Sequence, residues 1–245
     1  MRFLELLKKE IKQERAWLIY GSILVCVYQI VPFIKVNMGA PYWLSLTVAP
    51  LIIITFAAQA RIVGSFKREW DNHSVQLLLS LPVRGHNFVL TKFLAQAFTV
   101  CSYSLLSLLF LLLISQIRLG STAGVTFSEI LKCWLFYLLF PLPIMGFFIF
   151  SYLVGRVSHY VRGLVSVLSF IAIVYGVERL VPYGRKIFEF LPKMGITIIT
   201  SESVSNMTLG GVTRQILDVS GVYFVALFGV ILLVASFFII EKAEI

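Results

Sequence analysis

Apolar residues in this chain gather in long runs that exclude charge. Residues 16–34, 36–60, 93–117, 133–155, 163–177 and 219–240 contain no Asp, Glu, Lys or Arg. A helix needs about 20 such residues to cross the hydrocarbon core of a bilayer. All but the fifth run have or approach that length. The fifth reaches it when Val161, Arg162, Glu178 and Arg179 sit in the two interfaces with their charges snorkelling outward. The pattern predicts six transmembrane helices at about 16–35, 41–60, 93–114, 134–155, 161–181 and 219–240. Pro50 predicts a kink in the second of these, and Pro141 with Pro143 a break or kink in the fourth.

Three charged stretches separate or flank the runs. Residues 1–15 place Phe3, Leu4, Leu7 and Ile11 on one helical face, with Arg2, Glu5, Lys8, Lys9 and Lys12 over much of the rest. This predicts a basic amphipathic helix lying in the interface, ahead of a single membrane domain over 16–245. Residues 61–92 carry Arg61, Lys67, Arg68, Arg84 and Lys92 against Glu69 and Asp71. The excess of Lys and Arg places this stretch, and with it both chain ends, in the cytoplasm. Residues 65–79 read as an amphipathic helix along the membrane. Phe66, Trp70, Leu77 and Leu78 would face lipid or a protein groove, and Lys67, Arg68, Glu69, Asp71 and Asn72 would meet water. Pro82 ends it. The outer stretch 182–218 mixes short apolar pieces with Pro182, Pro192, Gly195, Gly210 and Gly211, which predicts one or two short helices dipping into the outer leaflet.

Composition agrees. Of 245 residues, 59% are hydrophobic and 13% charged, against about 25% charged in a soluble domain. The formal charge of +9 fits membrane topology and anionic lipid rather than nucleic acid. Cys26, Cys101 and Cys133 stand in or beside apolar runs, without a C-x-x-C or a neighbouring His, and read as buried thiols.

The chain lacks the spacings that carry common chemistries. No phosphate-cradling G-x-x-x-x-G-K-[ST], H-E-x-x-H or Cys/His cluster is present, so no catalytic residue and no metal ligand is expected. His73, His86 and His159 read as surface histidines. No Asp, Glu, Lys or Arg falls in the middle of an expected span, which counts against an ion-coupled secondary transporter. Gln29, Gln59 and Gln96 keep that alternative open. Tyr103, Ser104 and Ser107 fit helix packing better than an intramembrane enzyme. Energy for any work would come from another protein.

Within the 61–92 stretch, Glu69-Trp70, then Leu77-Leu78-Leu79-Ser80-Leu81-Pro82-Val83, then Lys92 resembles the loop between the second and third spans of ABC-2 type exporter permeases. The six-span layout, the amphipathic N-terminus and the broken outer segment fit the same family. The resemblance implies an all-α polytopic subunit in the bacterial plasma membrane, with both termini cytoplasmic. It would pair with a second permease, identical or homologous, and bind two copies of a cytoplasmic ABC ATPase. ATP and Mg would be held by the ATPase, with no cofactor on this chain.

It further implies a coupling helix, with Phe66, Arg68, Glu69, Trp70, Leu77, Ser80 and Pro82 meeting the ATPase and Phe3, Leu7 and Ile11 of the N-terminal helix packed beside it. A route between subunits would be lined by the first, second and fifth spans, with Thr47, Thr55, Ser166 and Ser169 of the second and fifth as candidates. Uncharged walls suit an amphipathic or hydrophobic substrate: a peptide, a lipid-like molecule or a drug. The alternative is a non-transporting immunity or sensing component on the same scaffold.

Overall fold

The computed structural model describes residues 3–34, 40–71, 85–119, 127–158, 161–189, 194–199, 212–217 and 220–243. The helices are α1 (Phe3–Ile34), α2 (Ala40–Asp71), α3 (Gly85–Leu119), α4 (Phe127–Leu138), α5 (Pro141–Val157), α6 (Arg162–Ile187) and α7 (Ser220–Ala243). Strands β1 (Met194–Ile199) and β2 (Val212–Leu217) lie between α6 and α7. Five helical stretches among the described residues are long and apolar enough to cross a membrane: Ala49–Asp71, Gly85–Phe110, Trp134–Val157, Arg162–Ile187 and Ser220–Glu241. This is a predominantly helical, polytopic membrane architecture. Helices suit it because each satisfies its own backbone hydrogen bonds where lipid offers none.

The break expected at Pro141 and Pro143 is present. Pro141 and Pro143 lack N–H donors, and the chain between α4 and α5 tightens into turns closed by Leu139 N–H to Phe136 O and Phe140 N–H to Tyr137 O, both 3.1 Å. Gln59 of α2 donates to the Pro141 carbonyl at 3.0 Å, so a side chain from a neighbouring helix meets the broken backbone. Pro50 stands inside α2 and Pro182 inside α6 without ending either helix.

Three expectations are corrected. Residues 1–15 do not form a separate interfacial helix: from Phe3 they are the first turns of α1, unbroken to Ile34. Residues 65–71 are likewise the last turns of α2, not the start of a helix laid along the membrane. The stretch between α6 and α7 carries strands where short helices were expected. Met194 pairs with Leu217 and Ile199 with Val212 in an antiparallel ladder, consistent with the β-branched residues of MGITII and VTRQIL.

Packing runs along a chain of neighbours. α5 packs most extensively against α7 and α6, α1 against α3, and α2 against α3 and α5. The largest core cluster joins Ile62 and Phe66 of α2, Phe88 and Val89 of α3, Met145 and Ile149 of α5 and Ile240 of α7. Small residues permit the closest approaches, as is usual between membrane helices: a Cβ at Gly146 would collide with the Gly229 carbonyl, and one at Gly155 with Ser166 Oγ. By contrast, α6 turns most of its apolar side chains outward, among them Leu164, Leu168, Ile171 and Tyr175.

Candidate functional site

Charged side chains meet at one end of the bundle, where α1 begins, α2 ends and α3 begins. On α1, Leu6, Glu10 and Glu14 follow one another at helical spacing and are all buried. The inward stripe of this helix therefore includes two carboxylates. Phe3, Leu7 and Ile11, expected to form its apolar face, are only partly buried, and Leu4 is 72% exposed.

Lys92, on the second turn of α3, is the hub. Its ammonium lies 3.3 and 3.2 Å from the two carboxylate oxygens of Glu10 and 3.3 Å from Glu69 Oε2 on α2. Its side chain is 1% exposed. The rings of Phe66 and Phe88 bracket it, with centroids at 5.6 and 5.2 Å, and themselves meet edge to face at 5.6 Å. A buried cation so placed gains from both carboxylates and from the ring faces. Lys9 adds a longer contact to Glu69, 3.7 Å, from the solvent side. Burial pushes the Glu10 carboxyl above its ordinary value, with Lys92 pulling it down and the nearby Glu69 charge pushing it further up.

A second link lies beside the first. Arg61 of α2 donates from Nε and Nη2 to Glu14 Oε2 at 3.1 and 2.8 Å, and its guanidinium covers the Trp17 ring at 4.6 Å. The Tyr103 hydroxyl of α3 donates to the Trp17 carbonyl. On the other flank, Trp70 at the end of α2 meets Tyr152 at 6.2 Å and Arg156 at 5.6 Å, both from α5. His86 on the first turn of α3 lies 3.3 Å from Glu241 near the end of α7. The ends of five helices, α1, α2, α3, α5 and α7, are thus joined by polar groups.

Between α1 and α2 this end opens into a cleft of about 360 Å³, lined by Lys9, Gln13, Glu14, Ala60, Arg61, Gly64, Ser65, Arg68 and Glu69. Arg68 and Lys67 are exposed.

These positions revise the expected coupling set. Phe66 is fully buried in the chain's own core, not turned toward lipid or a partner, and Glu69 is 7% exposed and held by Lys92. Apolar and charged residues alike turn inward there because α2 continues into the bundle. Arg68 remains outward and Trp70 partly so. Leu77, Ser80 and Pro82 lie outside the described residues. Among the proposed route residues, Thr55 Oγ1 donates to the Leu51 carbonyl at 2.7 Å and lies 2.7 Å from the Tyr137 hydroxyl, so it is engaged within the chain. Ser166 donates to the Arg162 carbonyl at 3.1 Å and packs at Gly155. Ser169 is partly buried on α6, and the Thr47 side chain lies outside the described residues.

Polar groups deeper in the bundle also join helices. Gln29 of α1 donates to Ser107 of α3 at 3.0 Å, and Trp134 of α4 to Ser104 of α3 at 2.9 Å. Among the described residues no three His, Cys, Asp or Glu side chains gather as metal ligands. The groups missed by sequence reasoning are Glu10 and Glu14. Their signal was a four-residue spacing that continues the stripe of Leu6 toward Trp17. Compared with family models, curated proteins and solved structures, the chain matches none of them.

Proposed function

We propose that this chain is the transmembrane permease subunit of an ATP-driven exporter of the ABC-2 type, moving an amphipathic or hydrophobic substrate out of the cell. The observation that carries the reading is the ion-paired block of Glu10, Lys92 and Glu69, which ties the ends of three helices together on both sides of residues 72–84. In this reading that end faces the cytoplasm, with α1 as the sixth span. A push delivered to residues 72–84 reaches the end of α2 and the start of α3 together, and Glu10 carries it to α1. Rigid helix ends suit force transmission better than a free loop does.

The partner supplying that push is a separate cytoplasmic ATPase, in two copies, holding ATP and Mg. A second permease subunit completes the route. Its contact with the ATPase centres on Leu77, Ser80 and Pro82, with Arg68 and Trp70 at the margin, since Phe66 and Glu69 are occupied within the chain.

Co-expression with a candidate cytoplasmic ABC ATPase, followed by co-purification and vesicle transport, tests this. Leu77→Ala with Pro82→Ala should abolish co-purification and transport while the permease still inserts and melts as the parent does. Transport undiminished by that pair would remove the coupling assignment.

A further inference from the structure

We propose that the cleft between α1 and α2 binds the phosphate-bearing headgroup of an anionic phospholipid. Its charge, floor and surroundings each point that way.

The charges of the cleft and the hub behind it do not cancel. Lys9, Arg61, Arg68 and Lys92 stand against Glu10, Glu14 and Glu69, leaving one positive charge, the complement of a phosphodiester. Arg61 is committed to Glu14 at 2.8 Å and Lys92 to Glu10 and Glu69. The cations left to a ligand are Arg68, which is exposed and has no ion-pair partner among the described residues, and Lys9, which is 42% exposed and 3.7 Å from Glu69. Basic pockets between membrane helices at the level of the headgroups are suited to anionic lipid.

The floor between those two cations is made of small residues. Ala60 and Gly64 are exposed on α2, and a Cβ built at Gly64 would meet nothing within 4 Å. A headgroup can therefore approach the helix backbone.

Below the cleft, the same faces of both helices become apolar and stay outward. On α2 the face of Ala60 and Gly64 continues to Phe56 and Ile53, 70% and 54% exposed; on α1 the face of Lys9 and Gln13 continues to Tyr20 and Leu24, 69% and 58% exposed. A polar recess continued by outward apolar helix faces matches a molecule with a phosphate at one end and acyl chains at the other. Free phosphate would use only the upper half. The site rests on the chain being embedded in a bilayer, not on the exporter reading, and the assay below contains no ATPase, so either can fail alone.

Native mass spectrometry of the full chain, released from nanodiscs of phosphatidylglycerol and phosphatidylcholine with matched acyl chains, provides the test. The parent should retain phosphatidylglycerol preferentially. Lys9→Gln with Arg68→Gln should weaken that retention about 25-fold, about fivefold for each charge, as expected from roughly 1 kcal/mol for a basic residue at an anionic surface. Lys9→Gln alone, a single exposed change, should give the fivefold step if the pair accumulates poorly. Gly64→Leu, which fills the floor without altering charge, should also lose the lipid. Lys12→Gln with Lys67→Gln, exposed cations outside the cleft, should keep it. Equal loss in that control, undiminished retention in Gly64→Leu, or displacement of the lipid by millimolar inorganic phosphate would each overturn the proposal.

Discussion

The Lys92 ammonium lies 3.2 Å from Glu10 Oε2 across the α1–α3 contact, with 1% of the lysine side chain and 7% of the glutamate's exposed. This ion pair spans 82 positions of sequence and has Glu69 as its third member. Removing only the cation would leave two carboxylates facing each other without water to screen them. Breaking a buried pair in this way costs about 3–5 kcal/mol, and the outer contact from Lys9 favours the lower end. Lys92→Met should lower the melting temperature of the purified protein strongly. Adding Glu10→Gln and Glu69→Gln should recover much of the loss, because no uncompensated charge then remains. Failure of the triple variant to recover would show that packing around Phe66 and Phe88, not charge, holds this end together.

The raised Glu10 carboxyl sets a pH dependence with a definite sign. In the unfolded chain Glu10 titrates near the ordinary value, about 4.3. In the folded protein burial raises it. Between those two values the folded state holds a proton that the unfolded state has lost, so the stability contributed by this group is complete below about 4.3 and falls as pH rises through the window. Glu10→Gln removes the effect. The melting temperature of the parent, relative to Glu10→Gln, should fall as pH is raised from about 4 through that window. Parallel profiles for the two proteins would contradict the burial argument.

Arg61 joins α1 and α2 by geometry as much as by charge. Two of its nitrogens reach Glu14 Oε2, and its planar group lies 4.6 Å from the Trp17 ring. Lysine keeps the charge but loses the fork and the flat face. Arg61→Lys should therefore destabilise by about 1 kcal/mol, the order expected for a stacked cation and a charge-assisted hydrogen bond, with a matching change in Trp fluorescence. Thermal melts indistinguishable from the parent would mean that charge alone suffices.

The membrane helices were legible because lipid imposes a one-dimensional rule: a long run free of charge. The break at Pro141 and Pro143 was legible because two prolines two residues apart remove neighbouring donors, whereas Pro50 and Pro182 each stand singly and are carried within a helix. The clustered end was not, for a different reason. Carboxylates are mostly solvated, and only the packing of α1 and α2 against α3 brings Lys92 to Glu10 and Glu69 from distant sequence. Phe66 and Glu69 were misassigned together, since both readings assumed that α2 stopped near Ala60. The strands at 194–199 and 212–217 carried a local signal in Ile, Thr and Val, but the prolines and glycines around them suggested broken helices instead.

The seam between α5 and α7 supplies the most direct test of the fold. A Cβ at Gly229 would collide with the Cβ, Cα and carbonyl oxygen of Pro143, and one at Gly146 with the Gly229 carbonyl. Backbone atoms and a proline ring cannot rotate aside as a long side chain could. Pro143 is further fixed in the first turn of α5, just past the turns closed by Leu139 and Phe140. Adding even one methyl group here forces the helices apart, at a cost of roughly 1–3 kcal/mol for overpacking. Gly229→Ala should therefore lower the melting temperature clearly, and Gly229→Val should do so further. Gly163→Ala is the matched control, because a Cβ there meets nothing within 4 Å, and it should melt as the parent does. Equal behaviour of the Gly229 and Gly163 variants would mean that α5 and α7 do not approach as closely as these contacts require.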